Sequence, residues 1–386
     1  MAGEHETRDR HLFGAGPKRL LSLDGGGVRG VISVAFLERI EALLREQAGE
    51  NVRLGDWFDL IGGTSTGSII ATALALGKST DELKAIYHEL APRAFQRSRL
   101  RIPFLQPKFD VAGLRREIEA FVGEETLDSA ALRTGLGIVA KRVDTGSLWV
   151  VANNPRAPYW DTPRDRNFIG NRHYKLINLL RASTAAPTYF EPESIPILEN
   201  VDGLFIDGGV SPHNNPALAL FMMTQLKPYG LCWKTGPGRL TIASIGTGGY
   251  RQRLDRASLG RMQNITLALH ALQTVMNDSQ GLALALMQWF GESPTPWLVN
   301  SEIQDLHDVF PSGPLFRFLR YDVRLERDWL EEQLDMKLSD KELALVRAMD
   351  NPASIPLAYE VGRRAAEKQV RAEHWSSGAG TASPPL

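Results

Sequence analysis

Gly63-Thr64-Ser65-Thr66-Gly67 sets a serine between glycines at the spacing G-x-S-x-G. An apolar run, WFDLIGG (57–63), precedes it, and an apolar helical pattern, SIIATALALG (68–77), follows. A strand-to-helix turn of this kind holds a serine in a strained conformation with its Oγ exposed, as a nucleophile requires. Gly63 and Gly67 give the backbone room to turn sharply. The helix that begins there aims its first N–H groups and its dipole at a forming oxyanion. The same residues also suit a glycine-rich turn with a serine cap, so the motif alone leaves both uses open.

Nearer the start, LSLDGGGVRG (21–30) fits G-x-G-x-x-G through Gly25, Gly27 and Gly30. Taken alone, that is the spacing of a dinucleotide-binding loop. Two features oppose a nucleotide. Asp24 abuts the glycines, where its charge would repel a pyrophosphate, and the next strand ends in glycine and serine rather than in the acid that a ribose needs. Beside a nucleophile the loop has a better use: its N–H groups, at the start of a helix, can form an oxyanion hole. Arg29 would add positive charge there or brace the loop.

A serine nucleophile needs a base. The chain has eight histidines. His88, His270 and His307 fall in helical patterns, His5, His11 and His374 lie near the ends, and His173 sits in a polar loop. His213, in DGGVSPHNNP, is near a suggestive motif. Asp207, in FIDGGV, is the stronger candidate: an acid at the end of an apolar strand, followed by two glycines. A carboxylate beside a serine can take its proton if the site raises its pKa. Asp-Gly-Gly also makes ordinary turns.

The elements that must position these residues alternate. Residues 19–24 read as a buried strand and 31–46 as an amphipathic helix; 57–63 is a second strand, followed by a helix over 65–76. GLGIVAKRVDTGSLWVVAN (135–153) reads as a hairpin around its DTG. LFIDGGV and LTIASIGTGG are further strands ending in glycines, and from about residue 255 the pattern turns mostly helical. Strands alternating with helices predict an α/β layered fold. The expected organisation is a catalytic core over 18–254 and a mainly helical C-terminal extension over 255–375, packed on that core. Residues 1–17 and 376–386 are poor in large apolar side chains and are expected to be disordered.

With 386 residues, 43% of them hydrophobic, the chain can bury a large core. A net charge of −1 creates no overall field, so no nucleic acid polymer is expected as a partner. The single cysteine, Cys232, excludes an internal disulfide framework and any multi-cysteine metal site. No signal peptide or spanning segment is read, which leads to an expected cytoplasmic location with peripheral contact at the inner membrane surface. RSRLRIPFLQ (97–106) is the expected contact: Arg97, Arg99 and Arg101 for lipid phosphates, and Leu100, Ile102, Phe104 and Leu105 for the acyl boundary.

The motifs taken together resemble the patatin-like phospholipases. DGGGVRG (24–30), GTSTG (63–67) and DGG (207–209) come in the family's order, supported by RASTAAPTYFEP (181–192), NNPALAL (214–220) and SIGTGG (244–249). The resemblance implies a three-layer α/β/α patatin-like fold with a mainly parallel central sheet and the site at the C-terminal ends of its strands. It implies a Ser65–Asp207 dyad, an oxyanion hole at Gly26 and Gly27 with Arg29 beside it, and hydrolysis of acyl esters of phospholipids or lysophospholipids without metal or other cofactor. His213 departs from the small residue many relatives carry before NNP; it could tune the site or make a triad-like contact to Asp207, but a merely structural role is the favoured reading. The last third matches the family weakly, apart from LFRFLRYDVRLE (315–326), which resembles a strand-like segment many relatives carry. Some bacterial enzymes of this build are anti-phage effectors switched on by a cyclic di- or oligonucleotide. No residue pattern here reads as a nucleotide motif, so by analogy alone a cyclic nucleotide is one candidate activator, with Arg251, Arg253, Arg256, Arg261, Arg317 and Arg320 available to it unless they are solvated surface charges; a constitutive housekeeping lipase is the alternative, and the favoured one. A second copy of the chain is a candidate partner. The rival readings are a lipid acyltransferase using the same residues and a non-catalytic ligand-binding scaffold.

Overall fold

The computed structural model describes residues 5–94, 108–251, 264–307 and 309–375. Its frame is one sheet of nine strands: β1 (Lys18–Leu23), β2 (Leu60–Thr64), β3 (Gly135–Arg142), β4 (Leu148–Ala152), β5 (Glu193–Leu198), β6 (Val201–Asp207), β7 (Leu240–Ile245), β8 (Gly291–Thr295) and β9 (Phe316–Tyr321). The order across the sheet is β5-β6-β3-β2-β1-β7-β9-β8, with β4 also paired to β3. The central pairs β3–β2, β2–β1, β1–β7 and β7–β9 are parallel. β3 and β4 form the antiparallel hairpin expected around the DTG turn.

Twelve α-helices cover the two faces among the described residues. They are α1 (Glu6–Phe13), α2 (Gly30–Ala48), α3 (Leu54–Trp57), α4 (Thr66–Ala75), α5 (Thr80–Ala94), α6 (Val111–Val122), α7 (Leu176–Thr184) and α8 (Ala217–Gln225), then α9 (Asn264–Phe290), α10 (Arg327–Leu334), α11 (Asp340–Arg347) and α12 (Ile355–Gln369). Side chains of a strand alternate between faces, so each central strand feeds two cores. Leu21 and Leu23, Ala243 and Ile245, and Leu319 and Tyr321 pack with α2, α4, α7 and α12. Leu20, Leu240 and Ile242, and Phe316 and Phe318 pack with α1, α8 and α9. The expected three-layer α/β/α arrangement with a mainly parallel sheet is therefore what the chain forms. Among the described residues no helix is long and apolar enough to cross a membrane.

Two expectations need correction. Residues 255–375 are not a helical extension set against a finished core, because β8 and β9 lie inside that stretch and β9 pairs with β7 from Thr241–Arg317 to Ile245–Tyr321. The apolar alternation of β9 gives it two buried faces, so it completes the sheet rather than covering it. The same region returns through α12, which packs so closely on α2 that a Cβ at Gly362 would come within 2.9 Å of Ile32 Cα. The N-terminus departs as well: residues 6–13 form α1, with Arg8 bonded to Asp128 (3.0 Å) and Leu12 fully buried. The Trp233 indole donates to the Leu12 carbonyl at 2.8 Å. With His11 also bonded to Asp59 at 3.1 Å, several anchors to the rest of the molecule order this polar segment. The 97–106 segment and the 376–386 tail lie outside the described residues.

If α1 is docked as described, Leu12→Ala should cost about 2–4 kcal/mol, the usual penalty for emptying a closed apolar site. It would be read as a lower urea midpoint with an unchanged slope. A midpoint equal to that of the unsubstituted chain would show that the helix contributes nothing to the core.

Candidate active site

β2 ends at Thr64 and α4 begins at Thr66, leaving Ser65 alone at the turn. Its φ of 54° and ψ of −126° lie in a region that side chains other than glycine seldom enter. Neighbouring glycines make the strain tolerable. A Cβ at Gly63 would sit 2.1 Å from the carbonyl carbon of Gly67, and one at Gly67 would sit 2.2 Å from the Leu23 oxygen. The Ser65 N–H is held by the Ser183 hydroxyl (2.9 Å), which itself donates to the Val139 carbonyl (2.6 Å).

Asp207 arrives from the other direction. β6 runs antiparallel to β3 but overlaps only its last residues, with Asp207 opposite Ala140. Thr64 lies opposite Val139 on the other side of β3, so both chain ends stop at the same level of the sheet. The Ser65 hydroxyl donates to Asp207 Oδ2 at 2.6 Å. Oδ1 accepts the Gly209 N–H at 2.7 Å. Burial pushes the Asp207 carboxyl up to about 6, partly offset by these two donors and by the positive Arg181.

The glycine loop passes directly beside the serine: a Cβ at Gly25 would come within 3.2 Å of Ser65 Cβ. Gly27 has φ +60° and faces the Met349 carbonyl, where a Cβ would sit 2.1 Å away. Among the described residues no acceptor takes the N–H of Gly26 or Gly27. Both glycines, Arg29, Ser65 and Asp207 line one cavity of about 420 Å³. Much of its remaining wall is apolar, including Ile69, Leu114, Phe190 and Met276. Arg29 is buried, its Nε without a partner among the described residues, and burial lowers its pKa.

His213 does not join this group. Its carbonyl accepts from the Thr64 hydroxyl at 2.7 Å, but its Nδ1 is buried without a partner and the ring makes no hydrogen bond to Asp207 among the described residues. Its backbone, rather than its imidazole, contacts the elbow. The cations expected for a ligand are also reassigned. Arg320 is buried and paired with Asp24 and Asp322, and Arg317 donates to the His374 carbonyl at 2.8 Å. Arg251 is exposed, while Arg253, Arg256 and Arg261 lie outside the described residues.

Ser183, Asn214, Gln280 and Asp322 also support the site, none of them marked by a motif of its own. Asn214 donates to the Gly25 carbonyl (3.4 Å), and Gln280 donates to Asp24 Oδ2 (3.1 Å). Ser183 and Asn214 stand within the RASTAAP and NNPALAL stretches, so a signal was present. Gln280 lies in an apolar helix with nothing to distinguish it.

An α/β sheet with a serine on a strained strand-to-helix turn and a buried carboxylate bonded to it defines a class of serine hydrolase-like sites. Residues 21–221 match the family model described as patatin-like phospholipase, and the chain belongs to that family. It is 35% identical over 210 residues to a Vibrio cholerae protein named cGAMP-activated phospholipase, a match covering 52% of this chain and 55% of that protein. An Escherichia coli protein of the same name is 34% identical over 204 residues, covering 52% and 53%. The match thus spans about half the length of these curated relatives. Patatin-like protein 3 of Arabidopsis thaliana is 26% identical over 347 residues, covering 82% of this chain and 75% of its own.

The raised carboxyl has a consequence for stability. Between pH 3.8 and about 6 the folded chain holds a proton on Asp207 that the unfolded chain releases, so its contribution to stability falls as pH rises through that window. Above it, an ionised buried carboxylate burdens the fold by on the order of 2–3 kcal/mol. Asp207→Asn should therefore raise the thermal midpoint at pH 8, and the difference should close below about pH 4. An unchanged or lower midpoint at pH 8 would contradict the environment described for Asp207.

Proposed function

We propose that this chain is a serine acyl hydrolase acting on fatty-acyl esters of phospholipids or lysophospholipids. The carrying observation is the 2.6 Å bond from Ser65 Oγ to a buried Asp207, at the wall of a largely apolar cavity. Asp207 takes the hydroxyl proton as Oγ attacks the ester carbonyl. The tetrahedral oxyanion is held by the N–H groups of Gly26 and Gly27, with the Arg29 charge nearby. Lysolipid or a glycerol phosphodiester leaves with the proton, and the acyl group stays on Ser65. Water then gives its proton to Asp207 and attacks the acyl-serine, and Asp207 returns that proton to Ser65 Oγ as the fatty acid leaves. A base with a pKa near 6 suits this work, being ionised at neutral pH yet able to hold a proton briefly.

The proposal extends to control and location. The names of the Vibrio and Escherichia relatives support activation by a cyclic nucleotide, and a role in anti-phage defence is proposed with it by analogy to effectors of this build. A lipid substrate supports peripheral contact with the inner membrane surface from the cytoplasm, and the chain is proposed to act there as a homodimer.

Ser65→Ala and Asp207→Asn should each lower hydrolysis of a fluorogenic phospholipid by several orders of magnitude while the fold persists. His213→Ala should cost about tenfold or less, the scale of one supporting bond. Near-normal turnover by folded Ser65→Ala would overturn the mechanism, and collapse of the His213 variant would reassign the base. The same assay run with a panel of cyclic nucleotides should show activation by at least one. Full activity without any of them, and no thermal shift on adding them, would end the proposed control.

A further inference from the structure

We infer that Arg320 is a positioning residue that keeps the glycine loop fit to receive negative charge, by pairing the Asp24 carboxylate with a guanidinium that it shares with Asp322. This rests on the reading of Gly26 and Gly27 as oxyanion donors.

Asp24 stands immediately before Gly25, Gly26 and Gly27, and its carboxylate is almost fully buried. A bare negative charge there would oppose the charge that develops on the substrate oxygen, and low-dielectric surroundings would strengthen the opposition. Arg320, from β9, supplies the missing cation. Its Nη2 donates to Asp24 Oδ2 at 2.7 Å and to Asp322 Oδ2 at 2.6 Å, and its Nη1 donates to Ser244 Oγ at 2.7 Å. A planar guanidinium reaches all three, at the ends of β1, β9 and β7, where an ammonium offers one compact charge.

A second route from the same cluster reaches the loop. Asp322 Oδ1 accepts the N–H groups of Gly248 (2.9 Å) and Val323 (2.8 Å). This fixes the turn carrying Thr247, whose hydroxyl donates to the Gly25 carbonyl at 2.8 Å. Thr247 also lies where a Gly26 Cβ would be, 2.2 Å from Oγ1. Arg320 thus sets both the charge at the start of the loop and the surface against which Gly26 rests. It touches neither Ser65 nor Asp207 among the described residues, so its effect should fall on stabilisation of the transition state rather than on the proton transfer itself.

The test compares Arg320→Met, Arg320→Lys and the double variant Asp24→Asn/Arg320→Met in phospholipid hydrolysis. Each rate is divided by the number of sites titrated with a fluorophosphonate. Arg320→Met should lower kcat about a hundredfold per titrated site, the scale of a lost oxyanion donor, with KM within about threefold. Arg320→Lys should lose about tenfold, and removing Asp24's charge in the double variant should recover at least tenfold over Arg320→Met. If Arg320→Met does not fold, Arg320→Lys decides. A kcat per site within twofold of the unsubstituted chain for Arg320→Met, or for Arg320→Lys where Arg320→Met does not fold, would overturn the inference and leave Arg320 with a purely structural role. An unsubstituted chain that hydrolyses nothing, with or without cyclic nucleotides, would instead overturn the acyl-hydrolase reading and this inference with it.

Discussion

A carboxylate taken out of water and placed 2.6 Å from a serine hydroxyl is the constraint around which the rest of the molecule is arranged. An ionised group in such a place costs free energy, and folding must supply it from elsewhere. The two-sided apolar core does so, and the local partners limit the cost. The Gly209 N–H and the Ser65 hydroxyl satisfy the carboxylate oxygens, and Arg181 supplies a distant positive charge without a direct ion pair to Asp207 among the described residues. Had Arg181 bonded Asp207 directly, the carboxyl would be a weaker base. Its guanidinium instead lies nearer Glu193, with 3.7 Å between Nε and Oε2.

The second demand is geometric. A strained Ser65 and a glycine loop of open conformation would not hold their places alone. Contacts from well outside the matched 21–221 stretch secure them: the Met349 carbonyl accepts the Val28 N–H at 2.9 Å, and Arg320 bonds Asp24 across 296 residues of chain. The last third is therefore part of the site's support. A change in its packing would reach the glycine loop through one or two bonds, a short path for any control exerted there.

What the sequence could reveal follows from how each feature is encoded. The serine turn, the glycine loop and the Asp-Gly-Gly strand end were readable because each is a few adjacent residues whose types answer a local backbone demand. Their assembly was readable only as a sum, since no spacing along the chain places Asp207 opposite Ala140 and level with the end of β2. The Arg320–Asp24–Asp322 cluster was hidden for the opposite reason: single charged residues in β9 look like solvated surface until a partner nearly 300 residues away is known. Composition misled at the N-terminus, where Arg8 and Leu12 help order a polar helix, and beyond residue 255, where a helical pattern masked β8 while the strand-like 315–326 segment holds β9.

The central claim is that an aspartate, without a histidine, activates Ser65. Its most direct measurement is the rate of fluorophosphonate labelling of Ser65 as a function of pH, for the unsubstituted chain, Asp207→Asn and His213→Ala. Labelling should rise through an apparent pKa of about 6, keep that dependence in His213→Ala, and fall to a slow rate without that inflection in Asp207→Asn. An inflection that survives in Asp207→Asn and vanishes in His213→Ala would contradict the account.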